Sequence, residues 1–338
     1  MTQDKKEVDF EVEKIESEEE KVTRSEQGWM HTDLAVELRE SFSGDGGEIP
    51  GVAVEEMTLS EAELKLTRVE ILDERGAQIM GKPIGTYLTL EGDFGNYEEA
   101  CIEELARAIG ELLPEEAVHI LTVGLGNAEL TADSLGPIAI SHVWINGHLA
   151  EVGGLCGLAP GVMSQTGMET ATIIKGVVEE EHPQAVIVID ALAARDVSRL
   201  GRTIQLTDTG IHPGSGVGNH RAGIDKDTMG APVIAIGVPT VISASVIAEN
   251  TFRAVQEGLS AQTELAEAAH MLSSISPEQK YKLLQEKLDV HLRSLLVTPK
   301  DIDETVIRLG KFVAAGINLA VNDRITWEEG HISDKSRI

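Results

Sequence analysis

Val118-His-Ile-Leu-Thr-Val-Gly-Leu-Gly-Asn127 decides the fold. A short apolar run rich in β-branched residues and closed by glycines reads as a buried parallel strand ending in a tight turn. Open α/β sheets bind ligands outside the carboxyl ends of such strands. The chain continues Ala128-Glu-Leu-Thr-Ala-Asp133-Ser-Leu-Gly-Pro137, which sets Asp133 beside that strand end. A second apolar run, Ala185-Val-Ile-Val-Ile-Asp190-Ala-Leu-Ala-Ala-Arg195, again delivers an aspartate at its end. Between them Thr170 to Glu181 is amphipathic, with Ala171, Ile174, Val177 and Val178 on one face, and Pro183 stops it. Strand, helix and strand in that order make a βαβ unit, so the two carboxylates are expected to converge on one cleft.

Working outward, Tyr97 to Leu113 carries Cys101, Leu105, Ala108, Ile109 and Leu112 at helical spacing, and Pro114 ends it. Toward the N-terminus, Val52 to Val54, Thr67 to Leu72, Ala77 to Met80 and Tyr87 to Leu90 read as strands, with Asp73 to Gly76 as a turn. His31 to Glu40 reads as a helix start capped by Thr32 or Asp33. Toward the C-terminus, Ile138 to Ile145, Thr203 to Ile211 and Pro232 to Thr240 read as strands. Val152 to Gly167 and His212 to Arg221 read as glycine-rich functional loops. The remainder is helical from Ser243, with one helix from Pro277 and another capped by Thr298 with Pro299 at its first position. In that last helix Ile302, Val306, Leu309, Val313 and Ile317 form an apolar stripe.

With 338 residues the chain can bury a substantial core. Its net charge of −29 argues against nucleic acid and anionic membrane surfaces as partners, because both need a basic face. Cys101 and Cys156 form no CxxC pair, so neither a disulfide framework nor a cysteine zinc site is expected. No run of about 18 apolar residues and no secretory leader is visible. Residues 1 to about 30 are too polar to order alone, and read either as a solvated tail or as a removable pro-segment. Asp33-Leu-Ala35 is then either a helix cap or a cleavage sequence.

Three chemistries fit poorly. Gly124-Leu-Gly126 lacks the third glycine or alanine of a dinucleotide fingerprint, since position 129 is a glutamate that opposes phosphate. Ten histidines include no HExxH, and His212 and His220 have no clear third ligand, so no metal is expected. Ser164, Ser215 and the two cysteines lie in no nucleophile motif. Two aspartates sharing one site remain. They cannot both ionise easily, so one keeps a proton while the other activates water, which is chemistry for hydrolysing an amide.

His31-Thr-Asp-Leu-Ala-Val-Glu37, Met80-Gly-Lys-Pro83, Thr131 to Pro137, Leu158 to Met163, Ile189 to Arg195, Asp208-Thr-Gly-Ile211, Pro213 to Asn219 and Ile236 to Thr240 resemble the germination proteases of endospore-forming bacteria. The similarity runs from about residue 31 to 321. It implies an atypical aspartic endopeptidase, acting without cofactor, that starts the degradation of small acid-soluble spore proteins in the spore core. Asp133 and Asp190 match the family's catalytic positions. The resemblance also implies a homotetrameric zymogen that cuts itself at Asp33/Leu34, after an acidic residue and before a large apolar residue followed by alanine. Position 30 is Met, where family substrates favour an acid.

The expected architecture is α/β, a three-layer α/β/α core with a mostly parallel central sheet resembling hydrogenase-maturation peptidases. A pro-segment (1–33), a strand-rich N-terminal insertion (34–96), a catalytic core (97–260) and a helical C-terminal part (261–338) make up the chain. The loops bearing Gly153 and Gly154, or Gly214, Gly216 and Gly218, are candidate oxyanion or substrate loops. Arg195, Arg202, Lys175 and Arg221 are candidates to meet acidic substrates. The rival readings are a metal-dependent maturation peptidase and a non-catalytic acidic module that binds peptides.

Overall fold

A computed structural model describes residues 32–42, 49–95, 98–148, 153–212, 222–260 and 295–322, with the single positions 275 and 279. The expected helix from Pro277 and almost all of the pro-segment lie outside the described residues.

The strand predicted at Val118 is β4 (His119–Gly124), and Asp190 lies in β6 (Ala185–Ala194). They pair in parallel, from Ile120 with Ala185 to Gly124 with Ile189. On the far side of β4 runs β5 (Gly154–Leu158), and on the far side of β6 runs β8 (Val233–Ser243), both parallel. The sheet then changes sense. β7 (Thr203–Thr207), β3 (Gly85–Glu91), β2 (Leu64–Ile71) and β1 (Val52–Leu59) follow in antiparallel succession, and β9 (Leu296–Val297) pairs with the end of β8. The order is β1-β2-β3-β7-β8-β6-β4-β5. The strand-rich N-terminal part therefore extends the same sheet, and the parallel pairs are confined to β5, β4, β6 and β8.

Helices cover both faces. On one, α3 (Glu98–Leu112), α4 (Leu135–Ile140) and α9 (Ile302–Asn322) pack Leu105, Ile109, Leu309, Val313 and Ile317 against Ile120, Ile187, Ile189 and Ile236. Phe94 and Phe312 meet there with ring centroids 5.2 Å apart. On the other, α6 (Thr170–Glu181) sets Ala171, Ile174 and Val178 on Leu121, Val123, Val186 and Val188. Further along that face α1 (Ala35–Ser41) buries Leu38 on Val69, Ile71 and Tyr87. Each fully buried aliphatic side chain contributes about 1.5–3 kcal/mol, so this apolar inventory fixes the layers. Among the described residues no helix is long and apolar enough to cross a membrane.

Several local expectations are corrected. Asp73 to Gly76 is no turn between strands: the Asp73 carboxylate accepts from Gly76 N at 2.8 Å and caps α2 (Glu74–Met80), which Gly81 ends at φ 62°. Ile138 to Ile145 does not form a strand. Leu135 and Ala139 are fully buried in α4, whose Gly136 lies so close to Gly124 that a Cβ there would meet its carbonyl carbon at 2.7 Å. Neither Thr32 nor Asp33 caps α1; its cap position is Leu34, which has no side-chain cap. Part of the Val152 to Gly167 loop is β5. The last helix begins at Ile302 and not at Pro299, with Thr305 N donating to Asp301 O at 3.0 Å in its first turn.

Candidate active site

β4 ends at Gly124, whereas β6 continues to Ala194, so Asp190 lies one residue beyond the last β4 pair rather than at the end of its own strand. The step between the strands carries the site. Leu125 N donates to Ile189 O at 2.8 Å, immediately before Asp190. Two residues on, Asn127 N donates to Asp133 Oδ2 at 2.8 Å. Asp133 closes a short 3₁₀ turn (Thr131–Asp133), and Thr240 Oγ1 of β8 fixes that turn by donating to Ala132 O at 2.7 Å. Gly126 makes the approach possible: its φ is 108°, and a Cβ there would stand 2.0 Å from Asp133 O. The structure thus brings both aspartates to the carboxyl end of β4. Asp190 is buried at 7% exposure and its Oδ1 accepts from Ala191 N at 2.9 Å, while Asp133 is half-buried.

Beside them Asn127 Oδ1 accepts from Gln165 Nε2 at 2.7 Å, joining the turn to α5 (Met163–Thr166). Across the sheet, Asp190 pairs with Gly237, and Gly237 with Gln205. Residues opposite one another in register share a face, so Asp190 and Gln205 flank the missing side chain of Gly237, into which Leu192 packs. Asp33, Lys82, Tyr87, Leu192, Gln205 and Thr207 line a cavity of about 220 Å³ on this face.

Asp33 and Leu34 are part of this construction. Asp33 N donates to Ala193 O at 3.0 Å, and the Asp33 carboxylate accepts from Ala193 N at 2.9 Å. Asp33 O accepts from Lys82 Nζ at 2.8 Å and Gln205 Nε2 at 3.2 Å. Leu34 is fully buried. The segment is anchored by Glu37, whose carboxylate accepts from Thr32 Oγ1, Arg195 N and Asp196 N and faces Arg199 at 3.6 Å. Burial pushes the Glu37 carboxyl above its ordinary value despite those partners. Desolvation works against the Arg199 charge, but Glu40 and Glu91 outweigh it and hold the guanidinium above its usual range.

Tyr87 closes the floor of the cavity. Its hydroxyl donates to Pro83 O at 2.9 Å and accepts from Thr209 Oγ1 at 3.2 Å. Burial pushes its phenol up from 10.0 to about 12. The folded chain therefore keeps this proton where the unfolded chain loses it, so stability falls as pH rises from 10 to 12. Tyr87 alone is expected to remove about 2–3 kcal/mol over that interval. Urea unfolding of Tyr87→Phe at several pH values checks this, because that share of the slope should vanish.

The other candidates fall elsewhere. Gly153 and Gly154 stand at the start of β5, where Gly154 pairs with His119, and about 16 Å of strand separates them from the end of β4. Their backbone hugs Val118, and a Cβ on Gly153 would lie 2.6 Å from Val118 O. Gly214, Gly216, Gly218, His220 and Arg221 lie outside the described residues. Arg195 pairs with Glu249 at 2.7 Å, Lys175 faces Glu179 at 4.0 Å, and Arg202 is exposed. Among the described residues a possible metal-ligand group, His119, Cys156 and Glu181, sits at the end of β4 opposite to the two aspartates. Lys82, Gln205 and Glu37 were not singled out by residue type. Only the Met80 to Pro83 block hinted at Lys82.

The germination protease family model matches residues 31–268. The chain belongs to the germination protease family. A germination protease of Caldanaerobacter subterraneus subsp. tengcongensis is 42% identical over 89% of this chain and 96% of its own length. The Clostridium perfringens relative is 40% identical over 89% and 97%, and that of Bacillus subtilis 34% over 88% and 95%. Membership makes the chain a peptidase, a hydrolase of peptide bonds. A solved hydrogenase maturation protease, HycI of Thermococcus kodakarensis KOD1, aligns with 62% of this chain and 98% of its own at 14% identity and a TM-score of 0.33.

Proposed function

We propose that this germination protease is an aspartic endopeptidase that opens the degradation of small acid-soluble spore proteins, and that it is made as a zymogen that cuts its own Asp33–Leu34 bond. One observation carries the reading: the segment around Asp33 is held against β6 at Ala193, three residues past Asp190, by backbone and side-chain bonds. The backbone bond is of the kind that adds an extended peptide to a strand, and the second bond engages the acidic side chain that precedes the expected cut.

Asp133 and Asp190 act on a shared water. One carboxylate takes the proton of the attacking water, and the other, protonated, gives one to the leaving nitrogen. The roles belong to the coupled pair rather than to either residue. Removal of residues 1–33 then opens the cavity to substrate peptides with an acidic residue before the cut and a large apolar residue and alanine after it. The homotetramer and the spore core as site of action belong to the same reading.

Digestion of a purified small acid-soluble spore protein tests it. Fragment masses should place every early cut after Glu or Asp and before a large apolar residue followed by alanine. Cuts scattered without regard to an acidic residue would remove the specificity, and an intact substrate would remove the activity.

A further inference from the structure

Two side chains converge on the carbonyl oxygen of the bond expected to be cut. Lys82 Nζ lies 2.8 Å and Gln205 Nε2 3.2 Å from Asp33 O. The Gln205 amide has one workable orientation, because its Oε1 accepts from Ala35 N at 2.6 Å while its Nε2 faces a carbonyl. Gln205 therefore holds both sides of the Asp33–Leu34 unit. Lys82 is equally fixed: Gly81 ends α2 just before it, Met80 is buried at 1% exposure, and Pro83 O accepts the Tyr87 hydroxyl.

A cation and an amide N–H aimed at one carbonyl oxygen stabilise the negative charge that forms there when water adds. Desolvation lowers the Lys82 ammonium below its usual range, with Asp33 opposing. A charge held among few waters acts strongly on what it touches. The adjoining cavity of about 220 Å³ leaves room for water beside the carbonyl.

We propose that Lys82 and Gln205 form the carbonyl-binding pair for the Asp33–Leu34 bond and, once residues 1–33 have left, for the matching carbonyl of a substrate peptide. This rests on the self-cutting reading above. Water oxygen bonds to the Asp33 carbonyl carbon and gives its proton to the ionised aspartate of the pair. The carbonyl electrons move onto oxygen, where Lys82 and Gln205 meet the charge. On collapse the C–N bond breaks, the Leu34 nitrogen takes a proton from the other aspartate, and the new Asp33 α-carboxyl passes the second water proton to that freed amine, leaving a carboxylate and an ammonium. Lys82 donates a hydrogen bond to the Asp33 carbonyl oxygen and passes on no proton in this step.

The test follows loss of residues 1–33 by intact mass in full-length wild type, Lys82→Met, Gln205→Glu and Lys82→Ala, with melting temperatures alongside. Lys82→Met, close in volume, is expected to slow the loss about 100-fold. Gln205→Glu keeps the acceptor for Ala35 N but loses the donor, and is expected to slow it about tenfold. In Lys82→Ala, ethylammonium should restore part of the rate and ethanol none, which a space-filling role does not predict. Lys82→Met at the wild-type rate, or rescue by ethanol as good as by ethylammonium, overturns the pair and leaves the protease reading standing. A wild type that neither sheds the segment nor cuts a spore protein overturns both.

Discussion

Replacing Asp190 by Asn is expected to lower peptide cleavage at least a thousandfold and to leave the melting temperature nearly unchanged. The two halves of the expectation have separate causes. Asp190 follows Ala185 to Ile189, which are fully buried between β4 and β8, and its Oδ1 accepts a bond from the Ala191 amide. An asparagine oxygen takes over that bond in the same shape, so packing is kept. What disappears is the capacity to carry a charge or exchange a proton. Asp133→Asn follows the same logic, since Asn127 N needs only an acceptor at Oδ2. Cleavage rates and thermal unfolding measured on both variants check the expectation, and full activity in either would remove that residue from the chemistry.

The second large effect falls on stability. Glu37→Ala is expected to destabilise the chain by about 3–5 kcal/mol, because it breaks a buried pair and strips several donors at once. Glu37 is 4% exposed and serves Thr32, two consecutive backbone amides at Arg195 and Asp196, and Arg199. Arg199 in turn holds Glu40 through two bonds of 2.7 and 2.8 Å and Glu91 through one of 2.7 Å. The network ties α1 to β3 and to the turn after β6, so its loss also frees the segment that presents Asp33. Glu37→Gln, which retains most of the hydrogen bonds, should lose markedly less. Urea unfolding distinguishes the two variants, and limited proteolysis near residue 34 reads the loosening directly.

Much of this was legible in the chain because the signals were redundant. β4, α6 and β6 combine apolar patterning with proline or glycine punctuation, and all three lie where the pattern places them. Asp133 lies beside the end of β4 as that pattern places it, whereas Asp190 lies within β6, where β4 stops pairing with it, and not at a strand end. Short segments failed where two readings shared one composition. Ile138 to Ile145 is apolar enough for a strand, yet Ile138 to Ile140 closes a helix whose Gly136 packs on Gly124 and Leu125. Asp73 and Gly81 are an N-cap and a C-terminal glycine, but Gly76 between them looked like a turn. Gln205 left no local trace, and Lys82 only its place in the Met80 to Pro83 block. They are separated by more than a hundred residues, and they meet at Asp33 O only because β3, β7 and α1 lie on one face of the sheet.

The most direct test of the central claim is the intact mass of the purified full-length chain followed over time, with Asp190→Asn alongside. Wild type should lose residues 1–33 in a single cut and leave a chain beginning at Leu34, while the variant stays whole. A wild type that keeps its full mass while cutting nothing, or a variant that sheds the segment equally fast, would contradict the account.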